Sequence, residues 1–429
     1  MSLCIRFVAR NNDKPVIKEV FFDLCYLTRT TGVAIAAAIK ESLKTHGVDI
    51  QKARGQAYDG AAAMSSDKAC VAARIRDVAP MAVYTHCNSQ ILNPSIAVSC
   101  KLPEIRNMID TMNSLFLFFN SSPKRQKFME MVLDVESAQT RKQHIKGLCK
   151  TRWVERHTCF ETFQEIYEYV CISLEAISWP HLHPELELVT PSDLTSEKWN
   201  WQRNRETTVK TQGFLASLQK PECIMAFVVV KNCLQLLRGM TTKLQKRDIN
   251  IVSAYNMIDD TKKKITDLRA NIGREHADWY NEAQQMAMKV GEDITMPRIT
   301  TRNVYRANVA CTSISDYYQV NYTAKFVDHL HREFGTRFSN DQQVGVKLLR
   351  ILPSYICTQP WADLDQVIYD LALWEGDLSH PATLKNEIQD WFKLWSDCEA
   401  TGRETLPTTL LDVLCQCDPG MSLPASIDF

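Results

Sequence analysis

The sequence predicts an α/β part joined to a larger all-α part, mostly helical overall. Three observations carry this. Up to Thr85 the chain alternates short apolar runs with a strongly helical stretch. From Trp153 to about Gly291 apolar residues recur every three or four positions, as one face of a helix requires. Finally, 429 residues with 45% apolar and 23% charged side chains form an ordinary globular composition, long enough for two or three domains.

Leu3–Ala9 reads as a strand and Val16–Leu24 as a second, joined by the turn-forming run Asn11 to Pro15, so the pair is a hairpin. Thr30 or Thr31 caps a helix over Val33–His46, and Gly47 stops it. Next comes Arg54–Met64, RGQAYDGAAAM. A short strand turns abruptly into a helix here: Gly60 permits the tight turn, and the alanines suit a helix lying close to a sheet. Asp59 stands at the strand's C-terminal end, where α/β folds place their chemistry. The simpler reading of these residues alone is that Asp59 caps the helix that follows. That helix runs over Ser65–Val78 and ends before Pro80, and Ala82–Thr85 is another short strand. The order strand, strand, helix, strand, helix, strand is the middle of a ribonuclease-H-like fold, a mixed sheet flanked by helices.

Helices follow over Glu104–Phe119, whose apolar face includes Ile105, Met108, Met112 and Phe116, and over Lys124–Leu133, opened by Pro123. Beyond Trp153, prolines and the pair His181 and His183 interrupt the helical pattern at 178–191. Pro221 opens an apolar helix through Leu237, and 252–289 reads as one long, partly exposed helix. The Pro-rich loop offers His181 and His183 no carboxylate or Cys at ligand spacing, so both are expected at the surface.

Lys+Arg and Asp+Glu both number 50, which excludes a whole-chain electrostatic grip on nucleic acid but leaves room for a local patch. The best patch runs from Lys124 to Arg156, with nine Lys/Arg against four Asp/Glu. Within it lies Leu148–Arg156, LCKTRWVER, and the candidate nucleic-acid-binding residues are Lys150, Arg152, Trp153 and Arg156. Trp153 suits either a stacked base or the docking of a helix on the sheet. By contrast, 363–429 carries thirteen Asp/Glu against three Lys/Arg, a poor surface for DNA. Trp374, Trp391 and Trp395 read as packing anchors there. The 15 scattered cysteines, with no CxxC pair and no signal peptide, fit reduced thiols in a cytosolic or nuclear protein. No apolar run approaches the roughly 20 residues of a membrane span, so no membrane is expected; the longest is Ile224–Val230.

Taken in order, these motifs resemble the hAT-type transposase family, in its domesticated branch, over about residues 3–418. RGQAYDGAAAM resembles the family's second acidic motif. THCNSQILNPSIAVSC, 85–100, resembles its next landmark, although Gln90 stands where the family has His and Pro94 replaces a Leu. Arg152-Trp153 resembles the motif that marks entry to the family's helical insertion, where an aromatic stacks on an extruded base. The stretch from Arg298 through Arg302, Tyr305, Arg306 and Asn308 to Asp316-Tyr317-Tyr318 and Arg337-Phe338 resembles a further family segment.

The resemblance implies an incomplete ribonuclease-H-like core over 1–150, an all-α insertion over 151–362 and an acidic helical segment over 363–429. It places the first catalytic Asp ahead of Met1 and the last Glu, with the dimerisation helices, beyond Phe429. Strand transfer uses two or three carboxylates around paired Mg²⁺. Asp59 alone is then vestigial, Mg²⁺ is expected only for an intact family member, and no cofactor is expected here. Glu19 and Asp23 on the hairpin are the available substitutes, and no motif supports either. The expectation is a catalytically inactive, transposase-like, nuclear module that binds DNA, protein partners or a second copy, with no small-molecule substrate. The alternatives are a helical protein-interaction scaffold and a fragment of an active nuclease.

Overall fold

The computed structural model describes residues 1–11, 14–58, 62–65, 70–86, 96–136, 144–147, 153–188, 201, 205–244, 251–297, 311–338, 348–357, 364–378, 380–401, 406–407 and 409–416. The chain forms two compact units. One comprises Met1–Ile91, Arg247–Asn256 and Phe338–Phe429; the other comprises Leu92–Lys246 and Met257–Arg337. Residues 92–150, grouped by sequence with the α/β part, thus fall in the helical unit, and 363–429 fall with the N-terminal strands.

In the first unit, β1 (Ser2–Asn11) and β2 (Lys14–Leu24) form the expected antiparallel hairpin. A bulge between Leu3 and Cys4 leaves Phe22 of β2 without an opposite residue. The hairpin base is closed by the Met1 amino group donating to the Cys25 carbonyl at 2.7 Å and the Cys25 amide donating back at 2.8 Å. Helix α1 (Gly32–Thr45) starts where Thr31 Oγ1 accepts from the Ala34 amide, and it ends before Gly47, whose φ of 71° suits a residue without Cβ. Strands β3 (Gly55–Tyr58) and β4 (Val83–His86) pair in parallel across helix α2 (Val71–Arg76).

The expected single mixed sheet is not formed among the described residues. The four strands make two separate pairs, because no strand bonds to the outer edge of β1 or of β3. What joins them is an apolar core. Ile35, Ala36 and Ile39 of α1 meet Val71 and Ile75 of α2, with Leu3 of β1 and Tyr58 of β3 packed against the cluster. Buried Gln56 reinforces β3, its Nε2 donating to the carbonyls of Ala72 at 3.2 Å and Ala82 at 2.8 Å.

The C-terminal helices of this unit are α12 (Leu364–Leu371), α13 (Leu384–Thr401) and α14 (Leu410–Gln416). Trp391 and Trp395 sit in their core with Ile388, Leu364 and Val413, and Trp374 is also buried, as packing anchors should be. Trp391 Nε1 donates to the Ile351 carbonyl at 2.8 Å. Helix α14 packs on β2. A bidentate pair joins Arg54, just ahead of β3, to Asp377, with both contacts at 2.6 Å.

The second unit is helical. Its elements are α3 (Pro103–Asn120), α4 (Pro123–Val135), α5 (Trp153–Ser178), α6 (Arg205–Leu218), α7 (Pro221–Leu244), α8 (Ile251–Ala270, counted here from Met257) and α9 (Ile272–Met288). After these come α10 (Ile314–Tyr318), a π-helical turn over Gln319–Ala324, and α11 (Lys325–Arg337). The single helix expected over 252–289 is two, divided at Asn271. Lys231 and Asn232 end the unbroken apolar run of α7 at Val230, yet the helix as a whole is long and apolar enough, by length and composition, to cross a membrane. It is wrapped by α3, α5 and α9, and Ile224–Val230 is buried on every side, so it reads as the core helix of this unit.

Charged groups in that core are satisfied together. Lys231 and Asn232 of α7 and Gln164 of α5 all donate to the Glu282 carboxylate on α9, Asn232 at 2.8 Å. The π-turn is pinned likewise: buried His276 contacts Thr323 Oγ1 through Nδ1 at 2.8 Å and the Ser315 carbonyl through Nε2 at 2.9 Å.

Candidate nucleic-acid interface

The acidic candidate Asp59 lies outside the described residues; β3 ends one residue before it, at Tyr58. Tyr58 itself is largely buried and stacks on Tyr84 of β4 with ring centroids 5.9 Å apart. Burial, then the neighbouring Tyr84, pushes the Tyr58 hydroxyl up to about 12.

The two substitute carboxylates do not converge. Glu19 lies opposite Arg6 on the hairpin, exposed. Asp23 lies beyond the bulge at Phe22, which breaks the alternation between the two. Its carboxylate accepts from Ser42 Oγ at 2.5 Å and from the Leu24 amide at 2.7 Å, which ties β2 to α1 and holds it below the usual carboxylate range. Among the described residues no group of three or more His, Cys, Asp or Glu side chains gathers as a metal site. Among the described residues, which do not include Asp59, the carboxylate set that paired Mg²⁺ would need is not assembled.

Of the nucleic-acid candidates, Lys150 and Arg152 lie outside the described residues. Trp153 and Arg156 are placed as backbone in the first turn of α5, so the sequence motif opens this helix. The same holds for the basic loop residues Arg298, Arg302 and Arg306, which lie outside the described residues.

Around the start of α5 the structure supplies two supports. The segment 144–147 leads toward it and is clamped from both sides. A Cβ on Gly147 would lie 2.8 Å from Phe116 Cε1 on α3, and the Gly147 carbonyl accepts from Cys159 Sγ of α5 at 2.8 Å. Further along α5, buried His157 has Nδ1 3.4 Å from Glu161, without the alignment of a hydrogen bond, while Arg238 Nη1 donates to Glu161 at 3.0 Å. Burial holds the imidazole below its ordinary range, against the pull of Glu161.

The second support is the first turn of α4. Ser122 caps it, and Pro123, Lys124, Arg125 and Lys127 follow. The Arg125 guanidinium lies 4.0 Å over the Phe118 ring and donates to Ser121 Oγ at 3.2 Å; the Lys124 amine lies 4.8 Å over the Trp201 ring. These cations are held on aromatic platforms at a helix N-terminus, an arrangement that suits an anion. The charge count over 124–156 includes them. The aromatic partners were not legible, because Trp201 is distant in sequence and only the Phe-rich end of α3 before PKRQK hints at the first platform.

Comparison with known proteins bears on the whole chain. Residues 1–68 match the family described as ZMYM1/FAM200, RNase-like domain. Over 96% of its length the chain is 25% identical to the human (Homo sapiens) 52 kDa repressor of the inhibitor of the protein kinase, covering 51% of that protein. It is also 25% identical to the mouse (Mus musculus) protein of the same name over 86% of its length, covering 46% of that protein. The chain resembles the hAT-type, transposase-derived proteins. It spans about half the length of these curated relatives, and no solved structure matches it. The RNase-like match covers the stretch of sequence that holds the hairpin, α1, β3 and the Asp59 motif.

Proposed function

We propose that this chain is a domesticated, catalytically inactive transposase-like module that binds nucleic acid in the nucleus through the face built by α4 and the start of α5. The observation that carries this reading is the first turn of α4, where Lys124, Arg125 and Lys127 stand at a helix N-terminus with two of the three cations resting on aromatic rings. Lys150, Arg152, Trp153 and Arg156 extend the same basic stretch in sequence. Inactivity is supported by Asp23, whose carboxylate is committed to Ser42 and the Leu24 amide, and by the separation of Glu19 from it. Similarity to transposase-derived proteins with a regulatory name agrees with a binding role.

The test is binding of a DNA duplex and of a single strand at two salt concentrations. Binding should weaken as salt rises, and Arg152→Ala with Lys150→Ala should lower both the affinity and the salt slope. With Mg²⁺ present the DNA should remain uncut. Salt-independent binding, or cleavage, overturns the proposal.

A second reading, a protein-interaction scaffold, is favoured by one observation. The hairpin exposes Phe7, Val8, Ile17, Phe21 and Leu24, the last two at 65% and 71%. Partner binding that is unaffected by the α4 and α5 charges, and lost on Phe21→Ser, would support it.

A further inference from the structure

A cleft of about 190 Å³ opens between the end of α3, the first turns of α4 and the segment 144–147. Its lining is Phe119, Asn120, Gln126, Met129, His144 and Ile145. Phe119, Met129 and Ile145 form a floor of buried apolar side chains. Asn120 and Gln126 form one rim, joined by Gln126 Nε2 donating to Asn120 Oδ1 at 3.1 Å. That bond uses the Gln126 amide nitrogen and the Asn120 amide oxygen, and leaves the Asn120 amide nitrogen and the Gln126 amide oxygen on the same rim without a protein partner among the described residues. His144 stands opposite, exposed, its Nδ1 3.5 Å from a Glu130 oxygen. The wall is fixed, because the segment that carries His144 and Ile145 is pinned at Gly147 by Phe116 and Cys159.

We infer that this cleft receives a single nucleobase; the inference rests on, and sharpens, the nucleic-acid role proposed for the same face. At this volume the cleft is below the roughly 300 Å³ of sites that enclose drug-sized ligands, so it has room for one ring system. An apolar floor rejects a free phosphate and accepts a flat ring. A neighbouring amide donor and acceptor match the edge of a base, which presents the same pair in reverse. Arg125 and Lys124 belong to the same first turn of α4 as Gln126 and supply positive charge for the phosphate attached to that base. An unpaired base inserted among apolar side chains and read at its edge by hydrogen bonds is a recurrent arrangement for single-stranded or extruded nucleotides.

The experiment uses the full chain with ¹³C-methyl methionine, the Met129 signal being assigned with Met129→Leu. Three probes are titrated: the nucleoside monophosphates, a single-stranded oligonucleotide, and an oligonucleotide of the same length with an abasic site in place of each base. The expected result is a saturable shift of Met129 with the first two probes and none with the abasic strand. Base-containing DNA should bind roughly tenfold more tightly than abasic DNA. Gln126→Ala, a partly buried position whose loss leaves the floor intact, should abolish that preference without altering the salt slope. A melting curve for this variant separates a local loss from unfolding. A Met129 signal unmoved by mononucleotides and oligonucleotides, or equal affinity of wild-type protein for base-containing and abasic strands, overturns the inference. Mononucleotide shifts at Met129 without oligonucleotide binding would uphold the cleft as a free-nucleotide site while the nucleic-acid reading of the face fails.

Discussion

Gly147 presses its Cα against the ring of Phe116 so closely that a Cβ would lie 2.8 Å from Cε1 and 2.9 Å from Cζ. Contacts under 3.0 Å force a shift of ring or backbone, and overpacking of this kind costs about 1–3 kcal/mol. Gly147→Ala should therefore lower stability by about that amount in urea unfolding, and Phe116→Leu in the same chain should recover part of it. Recovery ties the loss to this contact; an unchanged midpoint for Gly147→Ala would count against the clamp.

Three histidines, His157, His276 and His329, are held below the ordinary imidazole value of 6.5, in each case first by burial. Around His276 stand Thr323, the Ser315 carbonyl, Asp316 and the Tyr280 ring, and the Asp316 charge offsets burial only in part. These imidazoles are neutral in the folded chain at pH values where the unfolded chain already binds protons. Stability is thus full above about pH 6.5 and falls as pH drops from there toward the folded values. Urea midpoints measured from pH 7.5 to 5 should decline, and His276→Gln should make the decline shallower. A flat profile would contradict the buried, neutral assignment.

The Lys231 and Glu282 pair predicts an asymmetric result. Glu282→Ala leaves the buried Lys231 amine without its carboxylate and should cost roughly 3 kcal/mol. Combining Lys231→Met with Glu282→Leu replaces both charges by apolar groups and should restore most of the stability. Additive losses in the double variant would show that the two residues do not act as a pair.

Two tryptophans should separate binding from folding. Trp391 fills the core of the C-terminal helices and donates to Ile351, so Trp391→Ala should lower stability by about 3–5 kcal/mol. Trp153→Ala should instead weaken DNA binding, with the melting temperature changed less than for Trp391→Ala. Equal losses of binding in the two variants would argue against base stacking by Trp153.

The features legible in the sequence are local ones. Thr31 and Gly47 bound α1 because capping and positive φ are set by single residues. Pro123 and Pro221 open α4 and α7 for the same reason. The division of 252–289 at Asn271 escaped, because charge and apolar periodicity continue across it. Pairings between distant segments left no local trace either. Arg54 and Asp377 are 323 residues apart, and nothing near either residue announces the other. The assignment of 92–150 to the helical unit was hidden for this reason. At the candidate interface the excess of cations was legible, but the rings beneath Lys124 and Arg125, the Gly147 clamp and the cleft at Met129 arise from packing between helices.

The first unit is assembled from three stretches of chain, with α14 at Leu410–Gln416 resting on β2 near the N-terminus. During synthesis at about 5–20 residues per second, the hairpin must wait on the order of 20–80 seconds before the helix that packs on β2 emerges. Until then β2 lacks that support, while the residues of the helical unit, which end at Arg337, are complete well before; Phe7, Phe21 and Leu24 stay exposed even in the finished fold. Biogenesis thus makes the first segment synthesised wait for the last, and a chaperone that shields nascent apolar ribbons should govern the yield of soluble protein.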